Sequence, residues 1–189
     1  MNQIENELVD SLKRINFIFK NEEIHAECIK DYKGFSLLGE TLGPFERGKK
    51  YKLKLFIAMI FIKNNILKVA SNEKCDNVDL QRFAITERDN DKLVEQENKF
   101  FLDKIKEYRF FMKEEVENGK KPYQFLDNYN SYFVHLLDSR LLKLLRMSKS
   151  QLSLEDEKRL NRSELILFKK IHKIIKEWRK FYLRENKSV

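Results

Sequence analysis

The segment Gly43-Pro44-Phe45-Glu46-Arg47-Gly48-Lys49-Lys50 has the G-x4-G-K spacing of a loop that wraps phosphate in backbone amides. That chemistry needs Ser or Thr after the lysine, because the hydroxyl ligates magnesium, and Lys50 stands there instead. Phe45 and Glu46 also put bulk and negative charge where the phosphates would lie. The spacing is therefore read as a tight turn opened by Pro44, with Phe45 packing back onto a core. The histidines, His25, His135 and His172, offer little more. His25 and Cys28 make one His-x2-Cys pair, with no second pair to complete the four ligands of a zinc site. His135 and Asp138 fit one helix face, but no nucleophile lies beside them at a motif spacing. A nucleophile elbow, a His-Glu-x-x-His helix and a dinucleotide glycine fingerprint are all absent from the sequence. The expectation is a protein that is not an enzyme, with no catalytic, metal-ligating or cofactor-binding residue.

A further candidate chemistry is phosphate contact by a basic helix face. Residues 165–189 hold eight Lys/Arg against two acids, so this end carries +6 of the formal net charge of +8. Lys169, Lys173, Lys176 and Lys180 lie opposite an apolar row of Leu167, Ile171, Ile174, Trp178 and Phe181. They serve either as salt-sensitive phosphate contacts or as a solvated face that complements the helix C-terminal dipole. The second reading is preferred, since single-sign helix faces are common on soluble proteins.

The elements that position these residues follow from composition and periodicity. With 5 Gly and 2 Pro in 189 residues, the chain has few breakers and leans towards helix. Two distant cysteines argue for a reducing compartment rather than a disulfide framework. The polar, acidic start is unlike a signal peptide. The longest apolar run, Leu55 to Ile62, is far short of the ~20 residues that span a membrane, so a soluble protein is expected.

Short segments at 15–19, 23–29, 35–38 and 66–70 read as strands, and 52–64 reads as a buried helix. They make residues 1–70 a small α+β domain. The polar stretch 71–79 reads as a linker, and residues 80–189 as a larger helical domain. In 97–117, Phe101, Ile105, Tyr108, Met112 and Val116 recur at spacings of four, three, four and four. Gly119 and Pro122 end that helix. A second, wider stripe runs from Leu126 through Phe133, Leu137 and Leu141 to Leu145. Ser153 is read as the cap of the next helix. The fold class is α+β, a small β-rich N-terminal domain followed by a larger all-α bundle.

Phe100, Phe101, Tyr108, Phe110 and Phe111 lie on more than one side of their helix, and one buried stripe accommodates about half its circumference. The surplus predicts a second covered face, supplied by the other domain or by another subunit. Phe101, Tyr108, Phe111, Phe133, Leu137 and Leu141 are the candidate interface residues.

Several of these segments resemble a known family. Gly39, Leu42-Gly43-Pro44-Phe45 and Gly48, followed by the apolar segment from Leu53 to Ile62, resemble the opening turn of GINS complex subunits of the Psf-two/Psf-three type. Val78-Asp79-Leu80 with Glu87-Arg88 resembles that family's entry into its helical domain. Leu137-Asp138-Ser139-Arg140, then Lys143-Leu144, resembles its "WD-x-R-x-x-KL" helix, with Leu137 where tryptophan is usual. The likeness runs thinly over residues 23–180, is most specific at the turn, and has an archaeal character. It implies a β-rich B domain followed by a helical A domain. It also implies a non-catalytic subunit of a replication factor that binds the MCM helicase at the fork. The implied partners are a sister GINS subunit in a two-plus-two hetero-tetramer, the helicase, and a RecJ-like or Cdc-type protein, with weak DNA contact at most and no membrane. The implied location is cytoplasmic and chromosome-associated, or nuclear in a eukaryote. The alternative is a DNA-binding module that uses the basic C-terminal helix.

Overall fold

A computed structural model describes residues 2–37, 39–73 and 75–183. Helix α1 (Asn2–Lys20) leads into a β-rich unit of β1 (Glu23–Cys28), β2 (Phe35–Leu37), β3 (Glu40–Leu42) and β4 (Lys50–Lys54). Helix α2 (Leu55–Lys63) and strand β5 (Leu67–Val69) complete it. The remainder is helical: α3 (Asn77–Asp89), α4 (Phe101–Glu117), α5 (Gln124–Met147), α6 (Leu154–Arg159) and α7 (Arg162–Leu183). This is a mixed α+β fold with a helical C-terminal region, as the sequence predicts.

Strand β1 is central, antiparallel to β4 on one side and to β5 on the other. Its alternation turns Ile24, Ala26 and Cys28 inward, the period of two expected of a half-covered sheet. Strands β2 and β3 form a separate two-stranded hairpin, with Phe35 opposite Leu42. Leu38, the last residue of the predicted third strand, lies outside the described residues, as do Arg184 and Lys187 of the basic end.

Two expectations are corrected. Residues 15–19 are helix, not strand, and belong to the last turns of α1. Leu8, Leu12, Ile15 and Phe19 recur every three or four residues, a stripe that the short run Ile15 to Phe19 conceals when read alone. The segment 52–64 is divided. Lys50, Lys52 and Lys54 alternate with Tyr51 and Leu53, so it begins as β4, and the helix starts only at Leu55.

The largest apolar cluster is continuous across the predicted linker. It joins Ile15 and Phe19 of α1, Ile24 of β1, Leu55 and Ala58 of α2, and Val69 of β5 to Cys75, Leu80, Ile105, Tyr129 and Leu136. Asp76 caps α3 by accepting from the Val78 and Asp79 amides, at 2.9 and 3.2 Å, which fixes where the helical region begins. Ser153 caps α6 as predicted, its hydroxyl accepting from the Asp156 amide at 3.0 Å.

Candidate docking surface and buried ion cluster

The Gly43–Lys50 segment is a structural turn. The Gly43–Pro44 peptide is cis. Phe45 is 2% exposed, with ring centroids 4.9 Å from both Tyr51 and Phe61. Gly43 has φ +106°, and a Cβ there would lie 2.7 Å from the Gly34 Cα, so only glycine fits this crossing. The amides of Phe45, Glu46, Arg47, Gly48 and Lys49 donate to the Tyr32 carbonyl, the Tyr51 hydroxyl, the Asp31 carboxylate, the Cys28 carbonyl and the Glu46 carbonyl, in that order. Their donors are committed within the protein, and the chain continues into a strand rather than a helix. A phosphate would find no amide cradle here. Gly39 lies apart, in the exposed turn of the β2–β3 hairpin.

The histidines are likewise engaged or scattered. The His25 ring lies 2.8 Å from a Glu73 carboxylate oxygen, and the Cys28 thiol donates to the Lys30 carbonyl at 3.1 Å. The His172 ring stacks on Phe168, with its Nδ1 2.9 Å from the Ser148 carbonyl oxygen. His135 is exposed. Among the described residues there is no His/Cys/Asp/Glu group able to hold a metal ion. Burial, reinforced by the charge of Asp79, pushes the Cys75 thiol up to about 11, so it stays protonated at neutral pH.

The sequence-predicted interface residues divide into two groups. Phe101, Tyr108 and Phe111 are buried in the chain's own core and offer nothing to a partner. The aromatics at α4 are met from several sides: the Phe19 ring of α1 lies 5.7 Å from Phe100, the Phe83 ring of α3 lies 4.9 Å from Phe101, and Phe111 lines one cleft with Ile29, Ile62 and Val69 of the β-rich unit. The aromatic surplus is thus satisfied within the chain, by α1, α3 and the β-rich unit together. Phe133, Leu137 and Leu141 are different. They line an apolar groove of about 660 Å³ between α1, α4, α5 and α7, together with Leu8, Leu12 and Phe17 of α1. Leu137 is 37% and Leu141 40% exposed, and Val134 and Leu145 continue the same row on α5.

Beside this row, on an adjacent face of α5, lies the strongest electrostatic feature of the molecule. Arg140 is 1% exposed, and all five of its N–H donors are used. Nε and one Nη bind Glu164 of α7 side by side at 2.6 and 2.8 Å. The other Nη donates to Glu87 of α3 at 2.6 Å. The remaining N–H groups reach the Val94 and Arg159 carbonyls, each at 3.0 Å. Lys143, one turn along, donates to the other Glu87 carboxylate oxygen at 2.6 Å, to the Lys92 carbonyl at 3.1 Å and to the Glu87 carbonyl. Asn161 completes Glu164 through its amide and side chain, both at 2.9 Å. Burial works against the Arg140 charge, but the hydrogen bonds and charges of Glu164 and Glu87 outweigh it and hold its pKa above the ordinary value. Two anions balance two cations with their donors filled. The cluster is a clamp on α3, α5 and α7, with no spare group for catalysis.

No family model matches the chain, and the search of characterised proteins likewise returned no match. The geometry nevertheless brings together residues that the sequence singled out separately: Glu87 of one helical motif meets Arg140 and Lys143 of the other.

The basic face lies where it was expected. Lys169, Lys173, Lys176 and Lys180 are exposed along α7. The apolar row opposite packs only in its first half; Ile174, Trp178 and Phe181 stay exposed towards the end of the helix. Sequence reasoning missed the α1 wall of the groove, because its final turns were taken for a strand. It also missed Asp103, for which the only available signal was an acid beside Leu102 on the second face of α4. Glu164 had no signal beyond its place in a helix first turn.

Proposed function

We propose that this chain is a non-catalytic structural subunit of a GINS-type assembly. In it, the helical region would dock against a sister subunit, in a two-plus-two hetero-tetramer that supports an MCM-type helicase. The observation that carries this reading is the leucine row of α5, Leu137 and Leu141, left uncovered over the apolar groove. Contiguous apolar surface of this kind marks interaction sites on soluble proteins. The clamp adds support, since it gives both helical motifs of the resemblance one physical role. It fixes α5 against α3 and α7, so the leucines are presented at fixed spacing.

The test is co-expression with the sister subunit. The native chain is expected to elute as a hetero-tetramer by light scattering. Leu137→Lys/Leu141→Lys should weaken association by about 100-fold or more, since each lysine brings charge into a desolvated centre. Its melting temperature should stay near native, because both residues are part-exposed. A well-folded monomer that ignores the sister subunit sinks the proposal.

One observation favours a second reading, a DNA contact through α7. Among the described residues, Lys180 alone of the four lysines has an acid within ion-pair distance, Glu177 at 3.6 Å. If duplex DNA binds there, log K should fall with log salt at about −0.9 per phosphate neutralised. Charge reversal of Lys169, Lys173, Lys176 and Lys180 should then flatten the slope. Binding that ignores salt, or persists after reversal, removes this reading.

A further inference from the structure

The groove beside α5 is apolar along its walls but not at its base. Asp103, Asn16 and Ser163 all line it, from α4, α1 and α7. Asp103 Oδ2, Asn16 Oδ1 and Ser163 Oγ are each buried without a hydrogen-bond partner among the described residues. Three orphaned polar atoms in one cleft are unusual, because buried polar groups are nearly always paired. Asp103 is the most costly of them. It is 7% exposed, and a buried carboxylate with one oxygen left without a donor carries a larger penalty than a hydroxyl or an amide. The charge of Lys106 favours the Asp103 anion, but no nearby lysine gives Oδ2 a hydrogen bond. Lys20 and Lys106 both reach Glu107, at 3.4 and 3.3 Å, and Lys13 faces Asp10 at 3.8 Å. None of the three lysines donates to Asp103, so its Oδ2 lacks a donor within the described residues.

The walls indicate the shape of what fits. Leu137 and Leu141 on α5 face Leu8, Leu12 and Phe17 on α1, so the cleft is bounded by two long helices. The exposed row on α5 extends beyond it to Val134 and Leu145. Such an open, elongated surface suits a helix laid lengthwise, with anchors at i, i+3, i+4 and i+7. A compact small molecule would leave the ends of the row bare.

We infer that the groove receives an amphipathic helix of a protein partner, with an aliphatic ridge against Leu137 and Leu141 and one lysine or arginine that donates to Asp103. This rests on the assembly reading above and adds to it the partner's chemistry. The cation supplies the donor that Asp103 lacks, and a charge-assisted hydrogen bond in a desolvated cleft fixes the register of the helix. The aliphatic ridge supplies the apolar contact.

The probe is a displayed library of amphipathic helices, each about 18 residues and so about 27 Å long. Each has an invariant aliphatic ridge and all other positions randomised. It is selected in parallel against the full native chain and against Asp103→Asn. Native selection is expected to enrich one basic residue at a constant offset within the ridge. The enrichment should vanish with Asp103→Asn. A selected peptide should bind that variant roughly 10- to 100-fold more weakly, the fold-change of one charged hydrogen bond. Leu137→Lys should abolish binding of the same peptide. Thermal melting of each variant verifies that it is folded. If ridge peptides bind at Leu137 without any basic preference, the inference about Asp103 fails and the assembly reading survives. If none binds, while a small apolar dye saturates the groove and is lost with Leu137→Lys, the cleft is a small-molecule site and both fail.

Discussion

Replacing Arg140 with methionine is expected to lower stability by about 3–5 kcal/mol, the usual result of removing one partner from a buried ion pair. The substitution nearly preserves volume, so a cavity does not explain the loss. What remains is Glu164 with no cation and Glu87 with only Lys143, both inside the protein, while the Val94 and Arg159 carbonyls each lose the donor that Arg140 supplied. Urea unfolding followed by helical circular dichroism measures this, and urea leaves ion pairs unscreened where guanidinium would not. For a chain of this length, the melting temperature should fall by roughly 10 °C or more. Adding Glu87→Gln and Glu164→Gln to Arg140→Met should recover part of the loss, because it removes the stranded charges. A loss below about 1 kcal/mol for Arg140→Met alone would mean that the cluster does not clamp the three helices. The effect should also exceed that of breaking any surface pair, such as Lys113 with Glu117, because exposed pairs are worth only about 0–1 kcal/mol.

Asp103→Asn is expected to act in the opposite direction and to depend on pH. Burial pushes the Asp103 carboxyl up from the ordinary 3.8 to about 6, against the favourable charge of Lys106 and its own backbone amide. Its place in the first turn of α4 also favours the anion, but the helix dipole contributes only about 0.3–1 kcal/mol. Desolvation therefore wins. The folded state binds this proton more tightly than the unfolded state does. The stability associated with it is fully present below about pH 4 and is lost as pH rises through about 6. At pH 7.5 the native chain thus bears a cost of about 2–3 kcal/mol that the asparagine variant avoids. Unfolding series at pH 7.5 and pH 4 should show the variant more stable at the first and near parity at the second. Carboxyl-resolved NMR titration should find the Asp103 midpoint near 6. An ordinary midpoint near 4, or a variant less stable at pH 7.5, would refute the assignment. A residue that costs stability at neutral pH and sits in the base of an exposed groove is the kind of compromise that binding surfaces make.

Much of this architecture is legible in the sequence because it is written in local periodicity. The α4 stripe of Phe101, Ile105, Tyr108 and Met112 and the α5 stripe of Leu126, Tyr129 and Leu136 follow the helix repeat, and those residues are buried. So do the alternation of β1, the Ser153 cap and the turn at Gly43, where local sterics leave few choices. Boundaries failed where two periods meet, as at Lys54 and Leu55, and where a short apolar run hid a longer stripe, as in α1.

What periodicity cannot state is which covered face is covered by what. The aromatics of residues 100–111 announce a second buried face, but only the folded chain reveals that α1, α3 and the β-rich unit divide the cover among them and bury Phe101, Tyr108 and Phe111. Leu137 and Leu141 belong to the same kind of stripe as buried Leu136 and Leu144, yet they remain open. The charged residues were the least legible of all. Nothing local tells a buried Arg140 from a solvated Arg146, or Asp103 from Asp127. Glu87, Arg140 and Glu164 meet across separations of 53 and 24 residues. Burial energy and ion pairing depend on distance in space, and for residues this far apart only the tertiary fold sets that distance.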